Sequence, residues 1–483
     1  MANDTLYFYD LETSGINPRS ARIMQFAGQR TTLDLEPIGP PDNTLIKMSD
    51  DILPEPQAIL VTGIAPQQTI ADGISEREFC RYFIESIATP YTTILGFNSI
   101  RFDNEFIRFL LYRNFYDAYE WSYANGRSVW DMLDVVRMTR ALRPDGIKWP
   151  FASDGRPSNS LELLTSVNHL QHENAHDALS DVYATIAVAK LIKQTQPKLF
   201  SYLYAMRTKQ AVQAVVNSGE PFVYTTGRYN GAYEKTSVAV LLADHPVYPG
   251  NRALVYDLRF DPTEFLKMSI PDMLERMQYT KDETAPVRLP VKELVYNKCP
   301  AVAPLTVLTP SAQKNIFIDM TAIQQHWRTL VADPTFTNRV RQAYEDKMTN
   351  VQTELAVDIQ TVDSQLYNGF FNDADKRKMQ QVSKAKVKEL ADVHPTFDDE
   401  RLVKLLLLYK ARLSKEVLSA DEQLEWNQYV HTKLTTGTNS MSADDYFSLI
   451  QKLAVESAGN QRNIGLLEDL WLWGESIIPA IEH

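Results

Sequence analysis

The chain has 483 residues, is 44% hydrophobic and 10% aromatic, and carries a net charge of −12, an ordinary globular composition with room for about three domains. No run of ~18 apolar residues occurs, so no helical membrane span is expected, and MANDTLYFYD lacks the basic and apolar regions of a signal peptide. Two distant cysteines, Cys80 and Cys299, exclude a disulfide framework, read as small buried hydrophobes and fit a reducing cytoplasm. The acidic charge argues superficially against a polyanionic partner, but it is uneven: residues 1–200 carry −7, residues 201–350 carry +2 and residues 351–483 carry −7. An acidic enzyme can still hold a polyanion where basic groups line one groove.

In chain order, Tyr7-Phe8-Tyr9 reads as a short buried strand that opens an α/β domain. Asp10 and Glu12 interrupt it one residue apart, and strand alternation points both carboxylates to one face. Two like charges side by side are costly without a cation between them, and hard oxygen donors with no Cys or His nearby suit Mg²⁺ or Mn²⁺ rather than zinc. A lone D-x-E is more often a solvated turn, so the pair gains meaning only from acids that follow.

Residues 22–32 read as the second strand of a meander, and Pro37, Pro40 and Pro41 as a loop. Residues 76–87 read as a helix with Phe79, Phe83 and Ile87 on one face. After a strand at 91–96, Asn98 is placed to cap a helix running through Phe106, Phe109 and Leu110, with Asp103 in its first turns. Open α/β sheets carry their sites at the carboxyl ends of strands, although the helix dipole alone also favours a first-turn acid. Trp130 and Met132 read as core, Asp131 and Asp134 as helix-start acids, and 141–150 as a loop. Within 173–192, Leu179, Val182, Ile186 and Ala189 share a helical face that packs on a sheet. Asp181 lies beside that stripe, and His176 sits at the helix start or on the preceding loop, at the spacing H-x₄-D.

The ordered set of D-x-E, F-D and H-x₄-D resembles the DEDDh class of 3′→5′ exonucleases. On that resemblance Asp10, Glu12, Asp103 and Asp181 hold two divalent ions roughly 3.5–4 Å apart, Mg²⁺ with Mn²⁺ as the alternative. One ion would lower the pKa of an attacking water and the other stabilise charge on the departing 3′ oxygen. His176, with an ordinary pKa of about 6.5, would take the water's proton as general base.

Longer segments extend the likeness over nearly the whole chain: DLETSGINP, LYRNFYDAYEWS, ALRPDGIKWP, NAHDALSDVYATIA, NKCP at 297–300 and QLYNGFFNDADKRKM at 365–379. The last has no catalytic rationale of its own. Together they resemble the bacterial exonuclease I family. The resemblance implies an α/β exonuclease (ribonuclease H-like) domain at 1–197, a central SH3-like β domain at 198–351 and a C-terminal α-helical domain at 352–483. It also implies a monomer that degrades single-stranded DNA in repair and recombination.

The residues of the later segments agree. Residues 201–350 show strand-and-turn patterning, with Asn230-Gly231 as a hairpin signal. Tyr224, Arg228, Tyr229, Tyr233 and Lys235 interleave rings and cations there, as sequence-neutral single-strand binding requires. Arg228, Tyr229 and Lys235, with Thr13 and Asn98 near the carboxylates, are the candidate DNA contacts. Ordinary half-buried strand aromatics with exposed charges would give the same pattern. Residues 352–483 run helical, and the lysines and arginine between 376 and 388 form a basic cluster that suits phosphates or simply a solvated face. Family likeness further implies binding of the acidic, Phe-ending tail of the single-stranded-DNA-binding protein, with Arg143 and Tyr202 at matching positions; near 310–340 the chain departs from the family pattern.

Two other readings remain open at this level. A DEDDh exoribonuclease or mixed-substrate nuclease would share the chemistry and differ in tolerance of the 2′-OH. A DNA-end-binding scaffold without activity would not need all four carboxylates and the histidine.

Overall fold

The structure, a computed structural model, describes residues 4–171, 177–278, 286–357, 361–437 and 440–478, with side chains for all of these except 350–357. Two compact units divide the chain: Met1–Ser128 with Glu173–Tyr183 and Ile359–His483, and Val129–His172 with Ala184–Asp358. Among the described residues no helix is long and apolar enough to cross a membrane.

In the first unit β1 (Thr5–Thr13) carries the opening aromatic run and is buried along most of its length. β2 (Ile23–Thr31) pairs with it antiparallel, from Leu6 opposite Thr31 to Thr13 opposite Ile23, and β3 (Asp42–Leu45) pairs with the other edge of β2. β4 (Thr92–Gly96) lies parallel to β1, giving the order β3-β2-β1-β4. The meander and the later strand follow the sequence expectation closely. Phe26 on β2 gathers Tyr7, Tyr9 and Phe79 around it at ring centroid distances of 6.3, 5.8 and 4.9 Å. The expected helix at 76–87 starts in a capping box between Ser75 and Glu78, is α-helical over Glu76–Tyr82 and changes to a π-turn over Phe83–Ile87. Phe79, Phe83 and Ile87 are buried, as the periodicity requires. Cys80 is buried here too.

The helices between 361 and 478 belong to this same unit and close its core. Leu402, Leu405, Tyr409, Trp426 and Trp473 share one hydrophobic cluster with Met24, Ile59 and Phe109. A buried ionic hub reinforces the join. Arg412 reaches Asp363 with both guanidinium Nη atoms, at 2.9 and 2.6 Å, and Asp51 Oδ2 at 2.6 Å. Arg22 adds a 2.8 Å contact to Asp363, and Lys433 a 2.7 Å contact to Asp51. Neighbouring cations hold both carboxyls below the usual carboxylate range, although burial opposes this. Arg22 in turn exchanges backbone bonds with Ser14, so the hub braces the loop that leaves β1 just after Glu12.

The second unit contains a five-stranded antiparallel sheet. Ala301–Pro304 pairs with Phe222–Thr225, followed by Thr236–Asp244, Arg252–Asp257 and Val291–Val295. Its core includes Val212, Phe222, Tyr224, Tyr229, Val255 and Tyr296. The hairpin signal at Asn230-Gly231 lands in the right connection but not as a two-residue turn. Asn230 instead caps a short 3₁₀ turn, Gly231–Tyr233, by accepting from Ala232 N at 3.0 Å, inside a ten-residue link between Thr225 and Thr236. Trp130, Met132 and Cys299 are buried, and Asp131 caps the helix Met132–Leu142 by accepting from Leu133 N.

Candidate active site

β1 delivers Asp10 and Glu12 on one face where the strand ends. The register with β2 shifts between Glu12 and Thr13, a bulge that turns the chain away immediately after the second carboxylate. The helix Ala178–Thr195 supplies Asp181 from its first turn. Carboxylate oxygens of Asp10, Glu12 and Asp181 all lie within 4.8 Å of one another. Asp103 opens the helix Asp103–Arg113 and is buried. It stands outside that mutual set yet close to it: after burial, its charge is the largest influence on Asp10.

The electrostatics are those of a site that wants a cation. Burial, then Asp103, Asp181, Glu12 and Asp177, raise the Asp10 carboxyl well above its ordinary range. Burial, Asp181, Asp103 and Asp177 push Glu12 up to about 8. Oxygen-only donors that repel one another in a desolvated setting fit a hard divalent ion, whose charge would reverse both shifts.

Gly96, at the end of β4, permits the close approach that sets this geometry. A Cβ there would lie 2.6 Å from Tyr9 O and 2.9 Å from Ser99 Cβ. Asn98 does not cap the Asp103 helix as expected. The cap position is Phe102, and Asn98 holds a left-handed conformation, φ 67°, four residues earlier, a conformation that Asn tolerates better than most residues. Thr13 is buried and its hydroxyl donates to Gly15 O at 2.8 Å. His176 lies outside the described residues.

Asp177 is the carboxylate that the sequence reading passed over. Its side chain accepts from Ser180 N at 3.1 Å at the start of the Asp181 helix, and its charge reaches both Asp10 and Glu12. An Asp three residues before Ser at a helix start is a capping signal, which could have marked it.

The second unit carries a cleft of about 1290 Å³ lined by Arg156, Arg228, Lys235, Arg288, Lys292 and Lys347, with Glu293 as the one acid among the described lining residues. Lys292 is held below the usual amine range by burial first and by Arg288 next. Two of the three candidate contacts, Arg228 and Lys235, line this cleft as cations. Tyr229 requires a correction: its ring is 6% exposed, packed edge-on against Tyr224 at 5.5 Å in the core, and offers no face to a base. Arg143 and Tyr202 are both tied to backbone, Arg143 donating to Val307 O at 2.9 Å and Tyr202 to Val302 O at 3.2 Å.

Comparison with known proteins gives a consistent set of likenesses. The chain matches the family Exonuclease over residues 7–189, the Exonuclease I SH3-like domain over 207–346 and the Exonuclease I C-terminal domain over 360–477. Exodeoxyribonuclease I of Haemophilus influenzae is 36% identical over 485 residues, covering 99% of this chain and 100% of that protein. The crystal structure of Escherichia coli exonuclease I with a dA16 oligonucleotide superimposes with a TM-score of 0.91 at 36% identity, over 98% of this chain and 100% of that one. A crystal structure of SSB/exonuclease I with the inhibitor CFAM gives a TM-score of 0.88 at 36% identity, over 98% of this chain and 100% of that one.

Proposed function

The chain belongs to the exonuclease I family, and on that premise we propose that it hydrolyses single-stranded DNA from the 3′ end and releases 5′-mononucleotides. The convergence of Asp10, Glu12 and Asp181 within 4.8 Å carries this reading. With Asp103 they would hold the divalent ions, Mg²⁺ with Mn²⁺ as the alternative. Ions bound there supply a lowered water pKa and neutralisation of charge on the leaving 3′ oxygen. His176 accepts the proton of the attacking water as general base. Asp177 orients the first turn of the Asp181 helix and adds negative charge that strengthens cation binding.

Arg228 and Lys235 bind phosphates of the strand together with the other cations of their cleft, because like charges crowded in a partly desolvated cleft are relieved by an anion. Thr13 and Asn98 contact the strand beside the carboxylates. Arg143 and Tyr202 take the acidic tail of the single-stranded-DNA-binding protein, a reading supported by the SSB/exonuclease I relative. The consecutive segments 1–197, 198–351 and 352–483 serve as nuclease, SH3-like and helical domains of a cytoplasmic monomer.

The test compares wild type with Asp181→Ala on 5′-labelled single-stranded DNA, RNA and duplex, with Mg²⁺ or EDTA. The expected result is a ladder shortening from the 3′ end on single-stranded DNA alone, with metal alone, in wild type alone. Equal digestion of RNA would replace this reading with a broader nuclease, and inert folded wild type with either metal would replace it with a strand-binding scaffold.

A further inference from the structure

The segment 365–379 has no role in the chemistry above, yet its side chains are held in an unusual way. Phe370 is 85% exposed and Tyr367 is 45% exposed. This exposure is built in. Gly369 adopts φ 150° with ψ 165°, a backbone region closed to other residues, and the chain there turns Phe371 inward and Phe370 outward. Phe371 stacks on Tyr112 at 6.1 Å, with the Arg401 guanidinium 4.5 Å from its ring. Arg401 also donates to Gln365 O at 2.7 Å and to Gly369 O at 3.1 Å, which fixes the turn.

The outward rings join a third. Tyr119 meets Phe370 edge-on at 5.7 Å and lies 6.4 Å from Tyr367, with the Arg108 guanidinium 5.8 Å from its ring. The Tyr367 hydroxyl donates to Glu105, which also accepts from Arg108 at 2.7 Å. Glu105 is two residues beyond Asp103 on the same helix, so the ring cluster begins one helical turn from the carboxylate site. On its far side a cavity of about 900 Å³ is lined by Tyr119 and Phe370, with Arg127, Lys376, Lys384 and Lys386 among its cations. Six cations against four carboxylates line that cavity. The excess of positive charge is modest, so ring faces rather than charge define the surface.

We propose that Tyr119, Tyr367 and Phe370 form a stacking platform for single-stranded DNA, holding bases of the strand upstream of the 3′ end being cleaved. The proposal rests on the substrate reading above and deepens it. Three features select a nucleic-acid strand as occupant: exposed aromatic faces suited to any base, a mild cationic excess, and continuity with the helix that carries Asp103.

The test is fluorescence anisotropy of labelled dT16 and dT3 in EDTA, where no cleavage intervenes. Phe370→Ala is expected to weaken dT16 binding about tenfold, the loss of one stacked base, and to weaken dT3 binding less, because the shorter strand stops before the platform. Phe370→Trp retains affinity. The slope of log affinity against log salt stays at the wild-type value, since no phosphate contact is removed. Because Phe370 is exposed, thermal melting of the variant verifies an intact fold. Affinity for dT16 within twofold of wild type would overturn the proposal, as would an equal loss on both lengths. So would a variant that keeps the strand but loses an acidic, Phe-ended peptide, which would make the surface a protein-docking site. Wild type that binds dT16 but cleaves it with neither Mg²⁺ nor Mn²⁺ would overturn the hydrolytic reading instead, and the platform would still be decided by the anisotropy.

Discussion

The hydroxyl of Tyr9 donates to Asn104 Oδ1 at 2.5 Å, inside the core of the first unit. The bond fastens the residue before Asp10 to the residue after Asp103, so strand and helix present their carboxylates in a constant relation. Tyr9→Phe leaves the buried Asn104 oxygen without that donor. The expected outcome is a loss of about 1–3 kcal/mol in denaturant unfolding. The metal concentration for half-maximal cleavage should also rise, roughly 10–100-fold, as for other lost outer partners of metal ligands. Unchanged metal dependence in Tyr9→Phe would show that the bond does not position the site.

Asp10 and Glu12 are kept ionised against burial and mutual repulsion. Asp10→Asn should therefore abolish cleavage, by more than about 10²-fold, the upper end of what an outer partner costs. It should also raise the melting temperature in EDTA, because one buried charge among like charges is removed. A gel assay and a melting curve on the same preparation check both halves. A lower melting temperature in EDTA would contradict the electrostatic account.

The pH dependence follows from Glu12, pushed up to about 8. An acid whose folded pKa lies above its unfolded value keeps its proton in the folded state across the interval between them. The folded state then binds more protons, and stability falls as pH rises. Metal-free protein should thus lose stability between about pH 4.5 and about pH 8. Added Mg²⁺ or Mn²⁺ should raise the melting temperature more at pH 8.5 than at pH 6. Equal metal-induced shifts at the two pH values would count against the site as the binding locus.

The hub of Arg412, Asp363 and Asp51 behaves in the opposite sense. Its carboxyls are depressed in the folded state, so their stabilisation is complete above the unfolded pKa of about 3.9 and is lost as pH falls below it. Arg412→Met leaves buried carboxylates without their main partner and should cost about 3–5 kcal/mol at neutral pH. The acid limb of unfolding should flatten in the same variant. Urea titrations at pH 3, 4 and 7 would reveal this, and parallel pH curves for the two proteins would refute it.

Charge removal in the second-unit cleft separates strand binding from chemistry. Arg228→Ala with Lys235→Ala should weaken binding of dT16 and reduce the salt slope by about 2, one for each lost phosphate contact. An unaltered slope would remove these two cations from the strand's path.

Much of the site was legible without coordinates because its signals are local. Alternation along a strand places Asp10 and Glu12 on one face by sterics within three residues, and helical periodicity put Asp181 beside a buried stripe. Their meeting with Asp103 was inferred from family likeness, and the structure supports it. What stayed illegible depends on which surfaces meet. Tyr229 reads as a binding aromatic until the core of its sheet closes over it. Asn98 reads as a cap until the close approach at Gly96 sends the chain through a left-handed turn. Asp51 reads as one loop acid among several, although its partners Arg412 and Lys433 stand 361 and 382 residues away. Phe370 resembles any core phenylalanine until Gly369 turns it outward. Backbone sterics act over a few residues and are written in the sequence; burial and ion pairing are decided by distant segments, and only the folded chain brings those together.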